Sequence, residues 1–314
     1  MFDNESFYSL ARRAFREPGN AALFSALLLH TEWLGNYAES RRLYELLTHR
    51  HPYCGHAWYN LGWTLAGLSE VEEALDAFEF AYIAEPTMKV AYEACVAWAL
   101  LSGSPRRAWL CYVEMMQHIE VDGKDLCRLS MCQRLAGDVK EAKATARRAL
   151  QLDPYHAEAC YQLAAGFAEE HDYCQALRWL RQAVRNDENH VAAHQLLAAV
   201  YNQTNQPSLA HRHAWHAIEQ APDSADAWTC LLESLLLQQN FKDAAQTAQV
   251  ALQHAHTAEL LYCAAACHFL AEQREQALDL LHRAFQHAPE HSALLFQWAP
   301  HLLDDEAVQK VLQL

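Results

Sequence analysis

The chain has 314 residues, with 24 Lys and Arg against 39 Asp and Glu, for a formal net charge of −15. That balance argues against general attraction to nucleic acid or to an anionic membrane surface. Hydrophobic residues make up 52% and only 9 Gly and 9 Pro occur, so an ordered, nearly all-helical chain with few long loops is expected. The 10 cysteines are too scattered for a small disulfide scaffold. The opening MFDNESFYSLARRAF places acids ahead of its apolar residues and lacks the apolar run of roughly 7–15 residues found in a secretory leader. No stretch approaches the roughly 18 uncharged apolar residues of a membrane span. A soluble protein of a reducing cytoplasm is the expectation.

Residues 1–20 read as one helix, with Phe7, Leu10, Ala11, Ala14 and Phe15 spaced for a single apolar face and a stop near Pro18-Gly19. Residues 21–54 read as two helices. They carry Phe24, Leu27 and Leu28, then Tyr44, Leu47 and Pro52, with Asn36 placed to cap the second helix and Ser40 where later segments have Ala.

Residues 55–88, GHAWYNLGWTLAGLSEVEEALDAFEFAYIAEPTM, give the pattern in full. Trp58, Leu61, Gly62 and Leu65 fall on a first helix, Ala74, Phe78 and Ala81 on a second, and Pro86 follows. This arrangement resembles one tetratricopeptide repeat, a helix-turn-helix unit of about 34 residues. Gly62 and Ala74 sit where the two helices of a unit approach most closely, and Trp58, Leu65 and Phe78 fill the space around them. Ser69 and Glu72 read as a capping box opening the second helix, and Pro86 turns the chain toward the next unit.

Segments 89–122, 123–156, 157–190, 191–224, 225–257 and 258–291 continue the spacing to within a residue, and 21–54 precedes it. Examples are Tyr92, Ala108 and Tyr112 with a Ser104-Pro105 helix start, Ala142, Ala146 and Ala149 with Asp138 and Glu141 as a cap pair, and Leu163, Ala164 and Ala176. Leu197, Ala198 and Ala210, then Trp228, Leu231 and Ala244, then Leu261, Ala264, Ala265 and Ala277 carry it on. In the tail, 292–314, Leu294, Leu295 and Trp298 begin another first helix that Pro300 interrupts. Val308, Val311 and Leu312 could dock a short closing helix. The expected fold is all-α: a right-handed α-solenoid superhelix of about eight tetratricopeptide units with N- and C-terminal capping helices.

The resemblance implies that first helices line a concave groove in which peptides or partner helices bind. The second, fifth, ninth and twelfth positions of each unit are then the groove lining. They include Ser25 and Leu29; His56, Tyr59 and Trp63; Glu93 and Leu100; Lys124, Cys127, Met131 and Arg134. Further along they include Glu158 and Tyr161; Gln195 and Asn202; Asp226, Thr229 and Glu233; Glu259 and Tyr262. Tyr59 and Trp63, at i and i+4, would form one aromatic patch, either a binding hot spot or simply packing on the next helix near Leu100.

Charge adds a second pattern. Residues 55–88 hold six acids and no Lys or Arg, whereas 123–156 hold seven bases against four acids. A basic band of that kind could select an acidic segment, or its second-helix bases (Lys140 to Arg148) could simply be solvated. In chaperone-binding members of the family a Lys and an Arg one turn apart hold a peptide's terminal carboxylate, and Lys124 and Arg128 match them. Tyr59, Trp63 and Ala94 stand where the clamp's other Lys and two Asn belong, so a looser acid-binding spot at Lys124, Arg128 and Arg134 is expected instead.

Cys263-x-x-x-Cys267 and His190-x-x-x-His194 each place two potential ligands on one helix face, and His211, His213 and His216 cluster nearby in sequence. Structural zinc usually takes four ligands, and no second pair accompanies either couple. Cys95 and Cys160 occupy core positions, where a thiol behaves as a small hydrophobe. No nucleophile elbow, P-loop, dinucleotide fingerprint or H-E-x-x-H occurs. No metal, cofactor or small-molecule substrate is expected, and no enzyme. The leading expectation is a non-catalytic scaffold or adaptor that binds a polypeptide segment. Alternatives are a secretion- or assembly-type chaperone, and a metal-dependent regulator or enzyme built on the His and Cys groups.

Overall fold

Small residues at a fixed interval decide where the helices of this chain touch. A computed structural model describes residues 4–313, and all regular structure among them is helical. The first helix is α1 (Asn4–Ala14), and residues 1–3 of the expected N-terminal helix lie outside the described residues. Paired helices follow: α2 (Ala21–Leu34) and α3 (Tyr37–Arg50), α4 (Gly55–Gly67) and α5 (Val71–Ala84), α6 (Lys89–Leu101) and α7 (Pro105–His118), α8 (Gly123–Leu135) and α9 (Val139–Leu152). The pairs continue as α10 (Ala157–Glu169) and α11 (Tyr173–Asn186), α12 (Val191–Gln203) and α13 (Pro207–Gln220), α14 (Ala225–Leu237) and α15 (Phe241–His254), α16 (Ala258–Leu270) and α17 (Arg274–His287). Two short helices, α18 (Ala293–Trp298) and α19 (Glu306–Leu312), end the chain, with 3-10 turns at Pro289–His291 and Pro300–Asp304. The architecture is an all-α solenoid, and the chain divides into two compact units, residues 1–145 and 146–314.

In the first unit, α1 buries Phe7, Ala11 and Ala14 against the same core as Phe24, Leu27, Tyr44 and Leu47. A Cβ on Gly62 would come 2.6 Å from the Phe78 ring, so this position of α4 takes no side chain while Phe78 keeps its place. Ser40 is not merely a degenerate Ala: its buried hydroxyl meets that of Thr31 at 2.8 Å, and Thr31 also lies 3.1 Å from the Leu27 carbonyl. Asn60 donates to the Phe24 carbonyl at 2.8 Å, tying α4 to α2. Tyr82 and Tyr92 stack at 4.3 Å between α5 and α6.

The turns between paired helices each hold one residue in the left-handed region: Gly35, Ser69, Gly103 and Gly137 in the first unit, His171, Asn205, Gln239 and Glu272 in the second. This corrects the capping box expected at Ser69. With φ at +65°, Ser69 belongs to the end of α4, and its own N–H donates to Ala66. Glu70 becomes the N-cap of α5 without a side-chain cap bond, and its carboxylate turns to Arg41 at 2.7 Å. Asn36 does occupy the N-cap position of α3, but its side chain accepts from the Ser40 hydroxyl rather than from a backbone N–H of the helix. A reciprocal capping box does open α8, between Asp122 and Asp125.

In the second unit, Ala164, Ala198, Ala210, Ala244, Ala264 and Ala277 are fully buried. A recurring device locks first helices to the segment before them. Trp58 donates to the Pro52 carbonyl at 2.8 Å, Tyr92 to Pro86 at 3.3 Å and Trp228 to Pro222 at 2.8 Å. His194 holds the same place, with Nε2 at 3.1 Å from the Glu188 carbonyl. The tail closes the unit by burying Leu295, Val308 and Leu312. Arg274 donates twice to Asp305, both at 2.7 Å, and holds that carboxyl at about 2.

Candidate functional site

Tyr59 and Trp63 share a face of α4 because they lie one turn apart, and the residues behind them keep both half-exposed. Trp63 meets Phe78 edge-on at 6.0 Å and Trp98 of α6 at 6.1 Å. Tyr59 lies 6.4 Å from Trp63 and 5.8 Å from Phe78. Trp63 thus packs on the next first helix through Trp98, yet is not enclosed. Burial raises the Tyr59 hydroxyl's pKa, and the carboxylates of Glu32 on α2 and Glu93 on α6 raise it further. Tyr59 therefore stands between first helices on either side. On α2, Leu29 is 55% and Trp33 67% exposed. Sequence reasoning missed Trp33 and Trp98; the i, i+4 spacing of Leu29 and Trp33 was the available signal.

His56 leaves this face to pair with Glu85 at 3.2 Å. Glu93 and Arg128 approach to 3.8 Å, so the Arg128 charge is partly countered where it stands. Lys124 is exposed and Met131 and Arg134 are half-buried on the same helix. Cys127, by contrast, is buried. Asp125, almost wholly buried, receives Lys89 at 2.7 Å.

Most carboxylates of residues 55–88 are held by side chains of neighbouring helices. Arg107 of α7 donates to Glu72, Asp76 and Glu79 of α5. Arg41 takes Glu70, and His56 takes Glu85. Five of the six carboxylates counted there have a partner, but Arg41 and Arg107 bring only two positive charges, so the stretch stays acidic.

In the second unit, Tyr161 is half-buried with its ring 5.3 Å from His190, which sits 3.0 Å from Glu158. The hydrogen bond to Glu158 raises the pKa of His190; burial opposes ionisation of Glu158, but the bonds to His190 and Gln162 hold its carboxyl low. Gln195 donates to Ser224 at 2.6 Å. Two expected groove residues are placed differently. Tyr262 is 0% exposed, because its hydroxyl reaches the Ala288 carbonyl at 3.0 Å across the hairpin. Asn202 is 7% exposed, drawn inward by the Cys230 carbonyl at 2.9 Å.

Of the His and Cys groups, His194, Cys263 and Cys267 are buried and His190, His211, His213 and His216 half-buried. Cys263 and Cys267 are fully enclosed, and burial pushes the Cys263 thiol up. His194 stacks on His216 at 4.0 Å and meets His213 at 3.0 Å between Nδ1 atoms. Among the described residues, no group of three or more His, Cys, Asp or Glu is arranged to hold a metal ion.

Rows of helical hairpins with a half-exposed aromatic face define an α-solenoid repeat protein. Residues 34–88 match the family model described as tetratricopeptide repeat, and the helical hairpins on either side repeat the same arrangement. No curated protein matches it. Among solved structures, a tetratricopeptide repeat protein from Parabacteroides merdae is similar at 13% identity, covering 82% of this chain and 97% of that one, with a TM-score of 0.58. The APC/C hetero-tetramer Cut9–Hcn1 is similar at 15% identity over 89% of this chain and 52% of that one, with a TM-score of 0.54. These likenesses concern the fold. No described helix is long and apolar enough to cross a membrane.

Proposed function

We propose that this chain is a non-catalytic interaction scaffold that binds a polypeptide segment on the first-helix face of residues 21–135. The observation that carries this reading is the aromatic strip of Tyr59, Trp63 and Trp98, left half-exposed beside the exposed Leu29 and Trp33. A monomeric surface gains nothing by presenting several large aromatic side chains to water together, and such clusters mark interaction sites. Tyr59 and Trp63 are held by packing on Phe78, so binding would need little ordering of the scaffold. Lys124 and Arg128 lie farther along the same run of first helices and would favour an acidic end of the bound segment. The fold shared with the Cut9 assembly is in keeping with protein partners.

Affinity capture from a lysate tests this. A Leu29→Ser/Tyr59→Ala variant, checked for an unchanged melting curve, should lose the polypeptides that the unaltered chain retains. Equal recovery by both would remove this face as the site.

A further inference from the structure

Three imidazoles meet where α12 packs on α13, in the second unit. His194 is 4% exposed, and its ring stacks on His216 at 4.0 Å, nearly parallel. Its Nδ1 lies 3.0 Å from Nδ1 of His213, and its Nε2 lies 3.1 Å from the Glu188 carbonyl. His213 rests in turn against the Tyr201 ring at 5.6 Å, and the Tyr201 hydroxyl accepts twice from Arg181 of α11.

The two bonds of His194 fix where the hydrogens are. A carbonyl oxygen can only accept, so His194 Nε2 carries a hydrogen. A neutral imidazole has one such hydrogen, so His194 Nδ1 is a bare acceptor and His213 Nδ1 must donate to it. The two rings are therefore not equivalent toward acid. A proton added at His213 Nε2 leaves the bond between them in place. A proton added at His194 Nδ1 sets two N–H groups against each other at 3.0 Å, in a ring clamped by its stack on His216.

The surroundings do not balance such a charge. The groups that bear on the pair are Arg181 of α11, His190 of α12, and Arg212 and His216 of α13, all basic. Glu188 approaches with its main-chain carbonyl. The Glu158 carboxylate of α10 is held by His190 at 3.0 Å. From α14 the Ser234 hydroxyl reaches His211 at 3.5 Å. Among the described residues no carboxylate pairs with His194, His213 or His216, and His216 Nδ1 is buried without a partner. Burial, first of all, lowers the pKa of both His194 and His213.

We propose that His194 is a proton-operated latch. While neutral it joins α12 to α13 through His213. A proton taken from solvent at its Nδ1 breaks that bond and opens this hairpin ahead of the rest of the second unit. The sign follows from where the proton is better held. In the opened hairpin His194 meets water and binds a proton at about pH 6.5, whereas the closed packing resists it. Opening therefore takes up a proton, and becomes up to about tenfold easier per pH unit as pH falls below that value. Above it the latch stays shut. None of its residues belongs to the aromatic face, so it stands or falls separately from polypeptide binding there.

Hydrogen exchange of the full chain, read by mass spectrometry and corrected for the pH dependence of intrinsic exchange, tests this at about pH 7 and about pH 5. Protection of α12 and α13 should fall by roughly tenfold or more, with a smaller fall in α14 and α15 and none in α4 and α5. His194→Gln, which cannot take the proton, should remove the excess loss. An equal fall throughout the second unit, no fall at α12 and α13, or an excess loss that persists in His194→Gln would overturn the latch. A second measurement needs no variant: nitrogen NMR of the unaltered chain at neutral pH should find hydrogen on His194 Nε2 and on His213 Nδ1. Hydrogen on His194 Nδ1, or none on His213 Nδ1, would overturn it equally.

Discussion

Arg107 Nε donates to Glu79 Oε1 at 2.6 Å, and the same guanidinium also reaches Glu72 and Asp76. One side chain of α7 thereby bridges a row of three carboxylates on α5 and offsets part of their repulsion at i, i+3 and i+4 spacing. The outer carboxylates are exposed, which limits the gain. Arg107→Ala should lower stability by ~1–2 kcal/mol. Arg107→Lys should recover only part of this, because one ammonium cannot span three acceptors. Thermal melts of the two variants decide it; full recovery by Lys would show that charge alone matters.

The turn residues make an independent prediction. Gly35, Gly103 and Gly137 adopt positive φ, and no heavy atom lies within 4 Å of where a Cβ would stand, so only backbone strain opposes a side chain there. Ser69, Gln239 and Glu272 adopt the same conformation without glycine's freedom. Ser69→Gly and Gln239→Gly should each raise stability by ~0.5–1 kcal/mol, the strain relieved less the extra entropy of the unfolded chain. Gly137→Ala should lower it by ~1 kcal/mol. Denaturant midpoints measure all three, and a loss at both Ser69 and Gln239 would mean that their side chains make contacts worth more than the strain.

The histidines of α12 and α13 give a pH dependence. Burial, then the neighbouring His194, Arg212, His216 and Arg181, holds His213 down at about 4, and burial with His216 lowers His194 as well. In the unfolded chain both would take up protons near pH 6.5. The unfolded state therefore binds more protons below that value, and stability is fully present above it and lost as pH falls toward 4. Glu233 works in the opposite sense, since a raised carboxyl pKa makes folding easier as it protonates. The second unit should melt progressively lower from pH 6.5 to pH 4, and His213→Gln should flatten that slope. An unchanged slope in the variant would place the acid sensitivity elsewhere.

Trp63→Ala should cost ~2 kcal/mol, less than a fully enclosed Trp because the ring is only half-buried against Phe78 and Trp98. Leu29→Ser on the exposed side of α2 should change stability by less than ~0.5 kcal/mol. Melting curves of both distinguish a residue that holds the face from one that only presents it; equal losses would contradict the exposure of Leu29.

Local spacing carried the helix pattern because small residues such as Gly62 and Ala74 are dictated by contacts inside one hairpin. Pro105 behind Ser104 marked the start of α7 for the same reason. What was not legible depended on partners elsewhere in the chain. Ser69 and Glu72 matched a capping box, but the turn needed a left-handed residue at Ser69 and moved the cap to Glu70. The charge count of residues 55–88 could not show that Arg41 and Arg107, from the hairpins before and after, pair with carboxylates there. Tyr262 matched a groove position, but a carbonyl 26 residues later drew its hydroxyl inside. Among the candidate residues, Tyr59 and Trp63 are half-exposed, as are Met131, Arg134 and Tyr161.

Site-specific photo-crosslinking tests the central claim most directly. A photoreactive phenylalanine analogue would replace Leu29 on the first-helix face and, in a second protein, Ile83, which is 65% exposed on α5. Irradiation in lysate should attach a discrete polypeptide at position 29 and none at position 83. The same adduct at both positions, or none at position 29 while one forms at 83, would contradict a partner-binding face on the first helices.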